Sequence, residues 1–406
     1  MDTPTSTRRV DLDWIRIAAF GVLIAYHVGM YYVSWDWHVK SPHAGTTIEP
    51  LMMLSSPWRL SLLFFVSGTA ASFALARGHA GFAGARSRRL LIPLVFGMLV
   101  IVVPQAYFEV VEKLGYRDGY LAFYARYLTG DHGFCPPAGC LRLPTWNHLW
   151  FVVYLWAYSM VLVALVAWLP GLLERAGARL ARAFSSFGVL LWPALLLALW
   201  RVLLVGRFPS THALVDDGYN HALYGSVFLL GFLLARHDAV WESLRAQRWL
   251  ALGLAAASYA FVAWYFAAHF DTAPSDALRT VQRVIYAVNQ WTALAAVLGF
   301  ARQWAPGDSP ARRYLTAAVF PFYILHQTVI VVLAHGLKPL ALAPAVEGPL
   351  LVAATFAACF AGFELIRRVR WLRPLFGLPL QERQPRASTL HTASTTPRAN
   401  PPLTTT

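Results

Sequence analysis

Stretches of about twenty predominantly apolar residues recur along the whole chain, and no other feature limits its fold as strongly. A bilayer core about 30 Å thick is crossed by about 20 residues of helix. Lipid offers no partner to a bare backbone N–H or C=O, so the spanning unit must satisfy its own hydrogen bonds. Ten such stretches can be read, at approximately 13–34, 52–76, 89–111, 148–170, 187–206, 220–236, 249–269, 281–302, 314–335 and 347–366. The expected fold is therefore all-α, a polytopic membrane protein of about ten transmembrane helices. Composition agrees. Only 13% of the residues are charged, against about 25% in soluble domains, and the mean hydropathy is +0.49.

The charges orient the bundle. The even-numbered loops and the C-terminal flank collect arginine: Arg77, Arg86, Arg88 and Arg89; Arg175, Arg179 and Arg182; Arg236, Arg245 and Arg248; Arg302, Arg312 and Arg313; and Arg367, Arg368, Arg370 and Arg373. The odd-numbered loops are poorer in positive charge for their length, with Lys40 in the first, Arg207 in the fifth and Lys338 in the ninth. By the positive-inside rule both termini are cytoplasmic. The formal charge of +14 is thus a topology signal, and nucleic acid is not an expected partner. The first apolar segment lacks a convincing cleavage site and is expected to remain as an anchor.

One membrane domain is expected over 1–380, followed by a disordered cytoplasmic tail over 381–406 that is rich in Ser, Thr and Pro. Residues 35–51 and 112–147 form long outer loops. The second contains "CPPAGC", with Cys135 and Cys140. Two cysteines are too few ligands for a zinc site, whereas a loop disulfide suits an oxidising compartment. No His, Cys and Asp cluster has metal-ligand spacing, so no metal is expected.

Ionisable groups inside spans are costly and usually face the bundle interior. Arg16 and His27 share the first span, eleven residues apart, which is about three turns plus 20°. Both side chains therefore share one helix face, about 16 Å apart along the axis. Arg16 either snorkels to the headgroups or lines the cytoplasmic end of a lumen. His27 is either a hydrogen-bonded core histidine or a proton-handling group toward mid-membrane. Asp13 can pair with Arg16 or cap the helix start. Arg59 stands near the outer end of the second span, and the deeper Ser67-Gly68 reads as a packing position or as part of a site. Arg86, Arg88 and Arg89 gather at a cytoplasmic mouth, where they serve topology or hold phosphates. His148 opens the fourth span, Arg201 lies within the fifth, and His326 with Gln327 lies within the ninth. Glu109, at the outer end of the third, is either solvated or part of the same interior. Histidine suits proton transfer near neutral pH and arginine suits anions. No phosphate-binding Gly-rich loop or nucleophile elbow is present. Residue chemistry alone therefore describes a membrane protein with a central site for protons and anions.

The motifs add a resemblance. "LDWIR…YH" in the first span, "LLFFVSG" (62–68), "RSRRLLIP" (86–93), "HLWFV" (148–152) and "YILHQ" (323–327) stand in the order found in the family 3 membrane acyltransferases. The similarity covers roughly residues 10–380. The outer-loop stretch "WDWHVKSP" (35–42) and the lack of an appended esterase-like domain resemble its glucan biosynthesis protein C branch, the succinyltransferases of periplasmic glucans. The resemblance implies an enzyme of the bacterial inner membrane that moves an acyl group from cytoplasmic acyl-CoA to a hydroxyl of an envelope carbohydrate. Succinyl-CoA is the implied donor and acetyl-CoA the alternative, with no tightly bound cofactor. It implies catalytic roles for His27, Arg16 and His326, donor binding by Arg86, Arg88 and Arg89, and substrate binding by Arg59, Arg201 and His148. Acetylation of another envelope glycan or lipid-linked sugar is the neighbouring alternative. A transporter is a further one, although its usual inverted repeats are not visible. Membrane lipids are the other expected partners, and the oligomeric state stays open.

Overall fold

The computed structural model describes residues 9–76, 81–136 and 139–380. Among these the regular structure is helical. The expected tail over 381–406, and Arg77, lie outside the described residues.

Helix α1 (Val10–Tyr32) runs from the face that also carries the end of the described chain to the opposite face. These are called here the terminus face and the distal face. Lys40 closes the distal end of α1. Its ammonium donates to the carbonyls of Met30 (2.6 Å), Trp35 (3.0 Å) and Val33, meeting acceptors that a helix C-terminus leaves bare. After the short α2 (Glu49–Met53), α3 (Arg59–Ala76) returns to the terminus face. The second span thus starts later than the residue 52 expected from hydropathy, because Pro57 interrupts the helix and α3 begins at Arg59.

The third span, Phe82–Leu114, consists of α4 (Phe82–Phe96), a π-helical turn at Gly97–Ile101, and α5 (Val103–Leu114). Pro104 brings no N–H to the helix and its ring crowds the preceding turn, which accounts for the widened segment. The carbonyls so exposed are met by side chains. Met98 accepts from the Tyr127 hydroxyl (2.8 Å), Leu99 from Tyr124 (3.0 Å) and Ile101 from Thr328 (2.6 Å). Both tyrosines come from α6 (Tyr120–Leu128) in the long distal loop. That loop also contains the Cys135–Cys140 disulfide.

Helix α7 (Trp150–Trp168) crosses next. The amphipathic α8 (Pro170–Ala183) then meets α9 (Gly188–Leu204) at 114°. Helix α10 (Gly218–Leu234) meets α11 (Asp238–Ala246) at 113°. Helices α9 and α10 are 17 residues each, about 25 Å long. Among the described residues, with the eight longer spans they make ten crossings if each bent pair counts as one. The remaining spans are α12 (Arg248–Ala268), α13 (Asp276–Trp304), α14 (Pro310–Leu337) and α15 (Pro344–Arg368), with α16 (Leu372–Leu375) after them.

Small residues set the closest approach. Helices α3 and α10 cross through a reciprocal pair of glycines. A Cβ on Gly68 would stand 1.9 Å from the Phe228 carbonyl oxygen, and one on Gly231 would stand 2.1 Å from that of Phe65. Thr69 bonds across the same crossing, donating to Phe65 O (3.0 Å) and Gly231 O (3.1 Å). At the terminus face Asp13 is buried and ion-paired chiefly with the buried Arg312 of α14, which also holds Asp308 at 2.8 Å. Its contact with Arg16 is a looser 3.8 Å.

Candidate active site at the distal end of the bundle

A cavity of about 700 Å³ opens among α1, α3, α7, α9, α10, α13 and α14. Its wall includes His27, Arg59, His148, Arg201, Glu109 and His38, together with residues of three distal loops. It therefore lies toward the distal face. His27 is five residues from the end of α1, about 8 Å from that end. It sits nearer the distal surface than the mid-membrane position expected from the apolar run, because α1 ends at Tyr32.

The hydrogen bonds of three histidines determine where their protons are. His326, 1% exposed, points Nδ1 at two carbonyl oxygens, Tyr323 O at 2.8 Å and Phe322 O at 3.2 Å. Carbonyls only accept, so Nδ1 carries the proton, and in the neutral ring Nε2 is a lone pair. That lone pair faces Nδ1 of His27 at 3.0 Å. The Nδ1 of His27 is then the donor, and its Nε2 is left as a bare acceptor on the ring that lines the cavity.

His148 reaches the same cluster, its ring centre 5.2 Å from that of His326. Both its nitrogens are engaged. Nε2 donates to Tyr323 O (3.1 Å) and Ile324 O (3.2 Å), while Nδ1 accepts from Gln105 (3.3 Å). Tyr323 returns a bond from its hydroxyl to the His148 carbonyl. His148 thus ties α7 to α14 and holds one wall in place.

A second polar array continues from it. The Gln105 carbonyl accepts from Asn147 (3.1 Å) and Gln327 (3.0 Å), and the Gln327 amide also donates to His38 Nε2 at 3.0 Å. His38 Nδ1 then donates to Glu109 at 2.5 Å, and Lys113 bonds the other Glu109 oxygen at 2.9 Å. Glu109 is 9% exposed and part of this interior, so it is not the solvated end of a span. His38, Gln105 and Asn147 carry no helical periodicity that would have singled them out. The only sequence signal for His38 was its place in "WDWHVKSP".

Two guanidinium groups face the cavity. Arg59, 7% exposed, lies over the Tyr26 ring at 3.2 Å, and its Nε and Nη1 are buried without a hydrogen-bond partner. Arg201 stacks on Tyr286 at 3.6 Å and donates from Nη1 to the Tyr219 hydroxyl at 3.0 Å, leaving Nε unpartnered. Among the described residues neither is ion-paired. Arg201 is half-buried, whereas Arg59 is buried, and a cation held out of water without a counter-charge costs several kcal/mol. The arrangement is ready for an anion that the protein itself does not provide.

The remaining predicted residues stand elsewhere. Arg16 is half-buried and donates to Val66 O (3.3 Å). Arg86 bonds Ser159 of α7 (3.2 Å), while Arg88 and Arg89 are exposed. Arg86 feels the charges of both Arg16 and Arg89, so these three form one basic group near the terminus face. None of the four lines the distal cavity. The structure thus brings together His27, His326, His148, Arg59 and Arg201, and keeps Arg16, Arg86, Arg88 and Arg89 apart from them.

The geometry provides an oriented base beside unneutralised cations, inside a membrane bundle. Comparison with known proteins accords with that chemistry. The profile of the acyltransferase domain family 3 matches residues 9–364. No curated protein and no solved structure matches the chain. Since the profile covers most of the 406 residues, the chain belongs to the acyltransferase 3 family and is a multi-pass membrane acyltransferase.

Proposed function

We propose that the protein moves a succinyl group from acyl-CoA to a hydroxyl of a periplasmic glucan in the bacterial inner membrane, as in the glucan biosynthesis protein C branch. The observation that carries the chemistry is the chain from two backbone carbonyls through His326 to His27, which leaves Nε2 of His27 bare in the cavity. The acceptor oxygen attacks the thioester carbon while its proton passes to that nitrogen. The C–S bond breaks, and the departing thiolate takes the proton from His27. His326 acts through His27 and is a positioning residue.

Arg59 and Arg201 receive the free carboxylate of the succinyl group or the oxyanion of the tetrahedral intermediate. An acetyl donor would leave at least one of these cations without a counter-charge, and this favours the dicarboxylate. Arg16, Arg86, Arg88 and Arg89 hold the donor's phosphates at the terminus face, and the positive-inside rule supports reading that face as cytoplasmic. The disulfide in the distal loop suits the oxidising side. The family match favours this reading over a transporter.

The test is acyl transfer by purified protein in liposomes, with succinyl-CoA or acetyl-CoA and periplasmic glucan, read by product mass. Succinylated glucan is expected from the first donor. Arg59→Gln and Arg201→Gln are expected to raise KM for succinyl-CoA more than for acetyl-CoA. Acetylated product alone would overturn the donor assignment, and no glucan product from either donor would overturn the acceptor.

A further inference from the structure

A second cavity of about 730 Å³ lies beside the catalytic one at the distal face. The two share Ser56, Pro57, Arg201 and Tyr286 as a common wall. The second cavity is bounded on its other sides by the segment around α2 and by the distal end of α12.

Its polar equipment is unusual for a space between membrane helices. Glu49 lines it and is 7% exposed. One carboxylate oxygen, Oε1, accepts from the Ser34 N–H (3.1 Å) and from the Ser34 hydroxyl. Among the described residues nothing donates to Oε2. Arg201 enters the same cavity with its Nε unpartnered, and it is not paired with Glu49. A buried carboxylate and the buried Nε of the half-buried Arg201 thus both keep hydrogen-bonding capacity, with Trp35 and Tyr286 as flat apolar surfaces in the same lining.

An anionic lipid would satisfy Arg201 but would be repelled by Glu49. A hydrocarbon chain would leave both groups unpaired, which is unfavourable for each. A neutral polyol satisfies both: the carboxylate accepts from hydroxyls, the guanidinium donates to them, and aromatic faces cover the C–H side of a sugar ring.

We propose that this cavity is a second saccharide subsite, continuous with the catalytic cavity, in which Glu49 and Arg201 bind the hydroxyls of a sugar next to the one acylated. The proposal rests on the reading that the acceptor is a glycan, and it makes that acceptor an oligosaccharide spanning both cavities.

The experiment compares methyl glucoside, a single sugar, with a long glucan oligosaccharide as acceptors for wild type, Glu49→Gln and Ala267→Trp. Ala267 lines the second cavity at an exposed position of α12, where a larger side chain fills the space without entering the core. Wild type is expected to prefer the long acceptor. Both variants are expected to lose about tenfold in kcat/KM for it, with turnover of the monosaccharide unchanged. Equal losses on both acceptors, or no loss on the long one, would overturn the subsite. Binding of the long oligosaccharide without donor, read by tryptophan fluorescence, separates this from the catalytic reading. If wild type acylates neither saccharide but binds the long one, and both variants weaken that binding, the reaction assignment fails and the subsite stands. Absence of saccharide binding, or recovery of phosphatidylglycerol with wild type and not with Ala267→Trp, would overturn it.

Discussion

Replacing His326 tests whether the base is oriented as the hydrogen bonds indicate. His326 Nε2 holds the His27 Nδ1–H at 3.0 Å, and two carbonyls hold His326. In His326→Leu that acceptor is gone. A neutral buried hydrogen bond is worth about 0.5–1.5 kcal/mol net, a factor of about 2–12. The released imidazole also divides its population between tautomers and rotamers, which costs a further factor of a few. Together these place the loss in kcat at about 10–50-fold. Removing the base itself, as in His27→Ala, costs about 10²–10⁴-fold. His326→Gln presents a carbonyl oxygen to the same N–H and is expected to recover most of the activity. The assay is steady-state acyl transfer by purified variants whose folding is matched by size exclusion and thermal stability. Wild-type kcat in the leucine variant would refute the orienting role, as would a glutamine variant no better than leucine in equally folded protein.

Three other outcomes follow from the geometry. Gly68→Ala is expected to cost about 3 kcal/mol or to prevent accumulation, because its Cβ would meet the Phe228 carbonyl at 1.9 Å and backbone cannot yield as a side chain can; thermal unfolding in detergent measures this. The Asp308 carboxyl is held below its usual pKa by hydrogen bonding from Arg312 and by the charges of Arg312 and Arg313. The unfolded chain binds that proton first as pH falls, so the stabilisation is present above about pH 4 and is lost below it. The melting-temperature gap between wild type and Asp308→Asn should therefore close on acidification through that range. Asp13→Asn leaves the buried Arg312 short of its main counter-charge and should destabilise by about 3–5 kcal/mol, read by the same unfolding assay.

Much of the bundle was legible because membrane insertion depends on local hydropathy, which sequence displays directly. The expected ranges for the spans at α7, α12 and α15 lie within a few residues of the observed helices. The second span starts later than expected because residues 51–54 extend the apolar run of the span, while Pro57 breaks the helix before Arg59. The π-helical turn was hidden because its cause, Pro104, is one residue in a long apolar run.

The site was legible in part for a different reason. His27, Arg59, Arg201 and His326 stand out as ionisable groups in apolar surroundings. Their convergence is tertiary: His27 and His326 are 299 residues apart, and no period along either helix points one at the other. His38 and Asn147 sit in or beside loops, where polar residues are ordinary, and Gln105 is one uncharged polar side chain within the apolar third span. Glu49 was invisible for the same reason, since burial beneath a loop leaves no pattern in composition.

The proposed reaction depends above all on Nε2 of His27 acting as the base for acyl transfer. The most direct measurement is initial-rate acyl transfer from succinyl-CoA to periplasmic glucan by purified wild type and His27→Ala, with folding matched. Acylated glucan is expected from wild type, with a rate lowered by about 10²–10⁴-fold in the variant. A folded His27→Ala protein that acylates glucan at the wild-type rate would contradict that role.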